Sequence, residues 1–142
     1  MSAMSMIRLL VPIIGEDMKI RIDSLDTLFS LFIRLRAMKR VDGCERCLAG
    51  KTSYKQLQCS HYIKRRNKST RWDEDNCAGL CFGCHQYFDE NNEEYEQWMI
   101  NHIGQDRLDM LNSRKRIIFP KPDKEAIELY LREQLKNLTG TL

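Results

Sequence analysis

Four cysteines stand as two Cys-x-x-Cys pairs, Cys44 with Cys47 and Cys81 with Cys84. Such pairs form tight turns that aim both sulfurs at one point, and two of them complete a tetrahedral Zn²⁺ site. A zinc ribbon commonly separates its pairs by about fifteen to twenty residues, whereas thirty-three separate them here. The surplus is enough for a two-stranded hairpin. It holds His61, the basic run Lys64, Arg65, Arg66, Lys68 and Arg71, and Asn76, and His85 follows the second pair directly.

These residue types suit the hydrolysis of a phosphodiester. That reaction needs a base to activate water, a cation at the developing negative charge, and a proton for the leaving oxygen. An imidazole with an ordinary pKa near about 6.5 accepts a proton at neutral pH, and His61 alone among the three histidines has strand context and basic neighbours. His85 is expected to start a helix, which puts Asp89 one turn later on the same face. An imidazole and a carboxylate so placed can hold Mg²⁺ or Mn²⁺. The guanidinium fork of Arg65, Arg66 and Arg71 matches a phosphate, with Lys64 and Lys68 beside it. Each residue also has a plainer reading: a hydrogen-bonded structural imidazole for His61, a turn residue for Asn76, a neighbour of the zinc site for His85, a solvated helix acid for Asp89.

The order His61, Asn76, His85, with steps of fifteen and nine residues, resembles the HNH, or ββα-metal, nucleases. The stretches Cys59-Ser60-His61-Tyr62, Thr70 to Asn76 and Cys81 to His85 more closely resemble the phage NinG/Rap-like recombination endonucleases. The flanks follow that pattern too, with a basic helix before the first knuckle and Tyr95 to Gly104 after the second. The likeness covers about residues 24–138. It implies that His61 is the general base, that Asn76 orients the hairpin loop, and that His85 binds the catalytic metal. Many HNH proteins carry an acid directly before the first histidine as a metal ligand; this chain has Ser60, and the NinG-like group it resembles lacks the acid too. Water, a substrate phosphate, Asp73, Asp75 or Asp89 is then left to complete the metal shell.

The elements that must position these groups are legible in the periodicity. Met6 to Ile14 reads as a short strand or extended arm. Asp23 offers an N-cap and Asp26 its capping-box partner, and Leu25, Leu28, Phe29, Phe32 and Ile33 recur at helical spacing, so 24–40 is expected as a basic amphipathic helix. Residues 54–63 are expected as the first hairpin strand, with a second around Ala78 to Leu80. Further helices are expected over Cys84 to Glu90, from an Asn92 cap to Gly104, around Asp106 to Asn112, and after Pro122, the last burying Ile127, Tyr130, Leu131 and Leu135. The fold expected is α+β: a ββα-metal core at 44–91 with two zinc knuckles, the N-terminal helix before it and a helical part at 92–142 after it, in one domain spanning 1–142.

With 142 residues, 42% apolar and 30% charged, the composition is that of a soluble domain with its own core. The apolar run Leu9 to Ile14 is broken by Pro12, falls far short of the roughly 20 residues that span a bilayer, and precedes no cleavage site. Six cysteines without an export signal point to a reducing cytoplasm, that of the bacterial host for a phage-encoded chain. Net charge is only +3, but positive residues cluster at Arg34 to Arg40, Lys64 to Arg71 and Arg114 to Lys124, as a track for a phosphate backbone would require.

Two functions are compatible with this pattern. One is a metal-dependent DNA endonuclease with structural Zn²⁺ and catalytic Mg²⁺ or Mn²⁺. The resemblance implies a part in phage recombination, on branched or partly single-stranded DNA and beside other recombination proteins. A symmetric junction would favour a homodimer, with the N-terminal arm as an interface. The other is a zinc-stabilised nucleic-acid-binding module without catalysis, kept open by Ser60.

Overall fold

A computed structural model describes residues 22–140; the expected arm at Met6 to Ile14, and the interface assigned to it, lie outside the described residues. Helix α1 spans Ser24–Val41 and starts where the sequence indicates. The Asp23 carboxylate accepts from the Leu25 and Asp26 amides, and Asp26 returns a bond to the Asp23 amide at 2.9 Å, satisfying donors that a helix N-terminus leaves open. Asp42 ends the helix in the left-handed region at φ 54°. The first knuckle follows at once and closes through a bridge between Gly43 and Gly50. A Cβ on Gly43 would stand 2.1 Å from the Ala49 carbonyl oxygen, so only glycine permits that approach.

The hairpin is shorter than its strand-forming residues suggest. Tyr54–Gln56 is a 3₁₀ turn in which the Ser53 side chain accepts from its Lys55 amide and Gln56 reaches back to the Ser53 amide. This local capping box takes 54–57 out of the strand. Strand β1 is Gln58–His61 and pairs antiparallel with β2, Cys77–Leu80, Cys59 opposite Gly79 and His61 opposite Cys77. Alternation puts Cys59, His61 and Cys77 on one face and Ser60, Ala78 and Leu80 on the other. A Cβ on Gly79 would lie 2.6 Å from that of Ala37, so β2 packs directly on α1.

Four further helices complete the α+β arrangement: α2, Phe82–Glu90; α3, Asn92–Ile103; α4, Gln105–Lys115; and α5, Lys124–Thr139. Among the described residues the regular elements are these five α-helices, one two-stranded sheet and 3₁₀ turns at Tyr54–Gln56 and Glu74–Asn76, and no helix is long and apolar enough to cross a membrane. The hairpin lies between two apolar clusters. On one side Ala78 and Leu80 join Cys84 and Phe88 of α2, Tyr95 and Met99 of α3, and Leu108 and Leu111 of α4. On the other, Cys77 joins Leu25, Phe29, Phe32 and Ile33 of α1 with Leu131 and Leu135 of α5. Burying each leucine, isoleucine, methionine or phenylalanine among them contributes about 1.5–3 kcal/mol before entropy is counted.

Local expectations are corrected at two helices. Asn91, not Asn92, occupies the N-cap of α3, and its amide group bonds back to the Tyr87 carbonyl at 2.8 Å instead of capping. Tyr130 is 46% exposed, because its hydroxyl donates to Glu74 at 2.8 Å and so holds the ring at the surface.

Asp26 does more than cap. It is buried, and besides the Asp23 amide its carboxylate accepts from Arg71 Nε at 2.9 Å, from the other arm of the Arg71 fork, and from Trp72 Nε1 at 3.0 Å. One residue thus ties α1 to the loop between the strands. Burial pushes the Asp26 carboxyl up, but the bonds from Arg71, Asp23 and Trp72 outweigh it and hold its pKa below the ordinary value. Asp26→Ala is expected to cost about 3–5 kcal/mol in urea unfolding at pH 7, since it takes from the buried Arg71 charge the carboxylate that both arms of its fork bind. A depressed carboxyl stabilises above its unfolded pKa of about 3.9, and the contribution fades as pH falls through the lower folded value. The difference between wild type and variant should therefore shrink in acid; an equal difference at pH 7 and well below pH 3 would refute the assignment.

Candidate functional site

The first knuckle hangs from the end of α1, and the second opens α2, whose N-cap is Cys81. Their four sulfurs, from Cys44, Cys47, Cys81 and Cys84, lie within 4.8 Å of one another. Cys47 and Cys81 sulfurs are 3.8 Å apart, the edge of a tetrahedron with Zn–S arms of about 2.3 Å. Burial raises the Cys44 thiol, but the amides of Cys81, Cys47 and Arg46 more than offset this and lower it to about 7. Arg46 also donates to Cys84 Sγ at 3.3 Å, an outer-shell contact of the kind that supports metal-bound thiolates. The four cysteines can hold a zinc ion.

Across the free edge of β1 lies a cleft of about 840 Å³. α1 contributes Asp26, Thr27, Ser30 and Arg34; β1 contributes Gln58, Cys59 and His61; the following loop contributes Lys64, Arg65 and Arg66; and α2 contributes His85 and Asp89. His61 and the His85–Asp89 pair, separated by a whole hairpin in sequence, therefore face one space. His61 Nε2 is 2.8 Å from the Arg71 carbonyl. A carbonyl only accepts, so Nε2 carries the proton and Nδ1 keeps the lone pair. Burial, with help from the Arg65 charge, lowers the His61 pKa to about 4 against the opposing pull of that carbonyl.

His85 Nε2 stands 3.7 Å from Asp89 Oδ2, while its Nδ1 is buried without a partner. Asp89 also accepts from Lys64 Nζ at 3.0 Å. Asn76 is wholly buried and its side chain makes three bonds: from the Ile63 amide at 2.7 Å, to the Ile63 carbonyl at 2.9 Å, and to the Thr70 carbonyl at 3.1 Å. These clasp both ends of the loop 63–70.

Several groups expected at the site are elsewhere. Arg71 is 7% exposed and locked onto Asp26, so it is no surface phosphate contact; Lys64, Arg66 and Lys68 are exposed and Arg65 is half-buried. Arg36 of the first basic cluster is buried, donating to the Glu74 and Cys77 carbonyls. Asp73 and Asp75, considered as metal ligands, face away from the cleft: Arg114 binds Asp73 at 2.6 Å, and Arg107 and Arg114 bind Asp75. That leaves Asp89 as the carboxylate beside His85. Ser60 points to the opposite face of the hairpin, where its hydroxyl lies 2.8 Å from Tyr95 Oη. His102 stacks on Trp98 and contacts Glu45 at 3.4 Å, away from the cleft.

Sequence reasoning missed two features. One is the Asp26 hub, for which Asp26 gave only a capping signal. The other is the meeting of Cys59, His61 and Cys77, whose ligand atoms lie within 4.8 Å of one another; the i, i+2 spacing of Cys59 and His61 was the available clue. Burial pushes the Cys77 thiol well up, and Cys59 beside it adds to the effect.

Comparison with known proteins adds one finding. The family model described as "Bacteriophage Lambda NinG protein" matches residues 17–140. No curated protein and no solved structure matches the chain. Since the match takes in the knuckles, the hairpin, the cleft and all five helices, the chain belongs to the family of the bacteriophage lambda NinG protein.

Proposed function

We propose that this protein is a metal-dependent DNA endonuclease of the HNH type, acting in phage recombination, with a structural Zn²⁺ on its four paired cysteines. The observation that carries the reading is the single cleft in which His61, with a lone pair on Nδ1, shares walls with His85 and Asp89 beneath a rim of Lys64, Arg65 and Arg66. A proton acceptor, a cation site and phosphate contacts are the parts that phosphodiester hydrolysis needs.

His61 stays neutral at physiological pH because its pKa is low, so Nδ1 is available to take the proton of an attacking water. The Arg71 carbonyl fixes the tautomer and the ring. Asn76 holds the loop whose lysine and arginines contact phosphates on either side of the scissile bond. His85, through the Nε2 that faces Asp89, and Asp89 itself would hold Mg²⁺ or Mn²⁺. The ion would supply positive charge where negative charge develops on the phosphoryl and leaving oxygens. Its other ligands would be water and substrate, a sparse protein shell typical of Mg²⁺ sites. DNA is the partner in this reading, with branched DNA the substrate class that the family likeness suggests.

Supercoiled, linear and four-way-junction DNA incubated with EDTA, Mg²⁺ or Mn²⁺ tests the reading directly. Divalent-dependent cleavage is expected, and His85→Ala should abolish it while keeping zinc content, fold and DNA binding. Binding by the wild type with no cleavage under any metal would leave a nucleic-acid-binding module and overturn the enzyme.

A further inference from the structure

The face of the hairpin turned toward α1 carries a ligand cluster that the zinc knuckles do not use and from which the nuclease reading takes only His61. Cys59 and His61 are two residues apart on β1, and Cys77 is the cross-strand partner of His61. Two sulfurs and one imidazole nitrogen within 4.8 Å of one another form a Cys₂His set, soft donors that select Zn²⁺ over Mg²⁺ or Ca²⁺. We propose that Cys59, Cys77 and His61 form a second metal site, for one soft divalent cation of the Zn²⁺ class, separate from the four-cysteine centre.

Three independent features favour binding here. The hairpin ladder holds all three ligands in place, so little ordering is required of them. The Nε2–H bond from His61 to the Arg71 carbonyl is the outer-shell support that metal-bound histidines usually have, and it leaves Nδ1 to ligate. Cys59 and His61 line the cleft while Cys77 is buried behind them, so a cation has an entry path and the cleft can supply water as fourth ligand. Three protein ligands and one open position make an exchangeable site, in contrast to the closed four-thiolate centre. One consequence does rest on the nuclease reading: a cation on His61 takes the lone pair needed by the base, so excess zinc would silence cleavage.

The site is tested by metal binding alone. Zn²⁺ is titrated into protein already carrying one equivalent, and bound metal is counted by native mass spectrometry. A second equivalent is expected on the wild type and is expected to vanish in Cys59→Ser, with the first retained. On the unmodified wild-type chain, iodoacetamide labelling of Cys59, read by peptide mass, should slow at least tenfold when the second equivalent is present. Substituting Co²⁺ should add thiolate charge-transfer absorbance with the second equivalent as well as with the first. A wild type that stops at one equivalent, or a Cys59 labelled equally fast with and without zinc, overturns the proposal. None of these readouts passes through DNA cleavage, so the site and the nuclease reading can fail separately.

Discussion

Cys44→Ser is expected to give a chain that no longer folds stably and that holds no zinc at the knuckles. Cys44 is fully buried, and an ion on the four thiolates would tie its knuckle, at the end of α1, to the start of α2. Binding of a structural zinc contributes about 10–16 kcal/mol in small domains at neutral pH, comparable to the roughly 5–15 kcal/mol by which a whole domain is stable. Removing one thiolate need forfeit only part of that to unfold the knuckles. Circular dichroism and metal analysis of the purified variant check it, and chelator treatment of the wild type should act in the same direction. A Cys44→Ser chain with the wild-type melting temperature would show the four cysteines to be a bystander cluster.

His61→Ala should lower single-turnover cleavage by about 10²–10⁴-fold, the range for loss of a general base, while DNA affinity changes little. Arg66→Ala should do the reverse: weaker binding, with the slope of log affinity against log salt reduced by about one for a lost phosphate contact. The free-enzyme pH profile separates this role of His61 from a structural one. With its pKa lowered to about 4 by burial, the acid limb of kcat/KM should fall near pH 4 rather than near the ordinary histidine value of about 6.5. The same shift has a stability sign. The unfolded chain takes up the His61 proton first, so the imidazole's contribution to stability declines as pH drops from about 6.5 to about 4 and is constant above that window. Equal losses of affinity in His61→Ala and Arg66→Ala, with neither slowing cleavage at saturating DNA, would reverse the roles.

Much of the frame was readable from local sequence because its determinants are local. Asp23 and Asp26 write the start of α1 in a capping box, Gly104 separates α3 from α4 with φ 89°, and the Cys-x-x-Cys spacing implies paired sulfurs whatever the surrounding fold. The same locality explains a failure: strand-forming residues at 54–57 lost to a capping box between Ser53 and Gln56, in which a side-chain bond three residues long outcompeted propensity.

What the sequence by itself determined is therefore the inventory: six cysteines with two paired spacings, His61, Asn76 and His85 at steps of fifteen and nine, and the helices that flank them. Only the tertiary structure decided which charges serve a site and which serve the fold. Arg71 reads like its neighbours Arg65 and Arg66, yet it is buried against Asp26, forty-five residues away in sequence. Asp73 and Asp75 read like ligands, yet Arg107 and Arg114 occupy them. Ser60 turns from the cleft because a strand alternates its faces, and the same alternation brings Cys59, His61 and Cys77 together. Pairing of charges and convergence of ligands depend on distance in space, which a chain with thirty-three residues between its knuckles encodes only once the hairpin has closed.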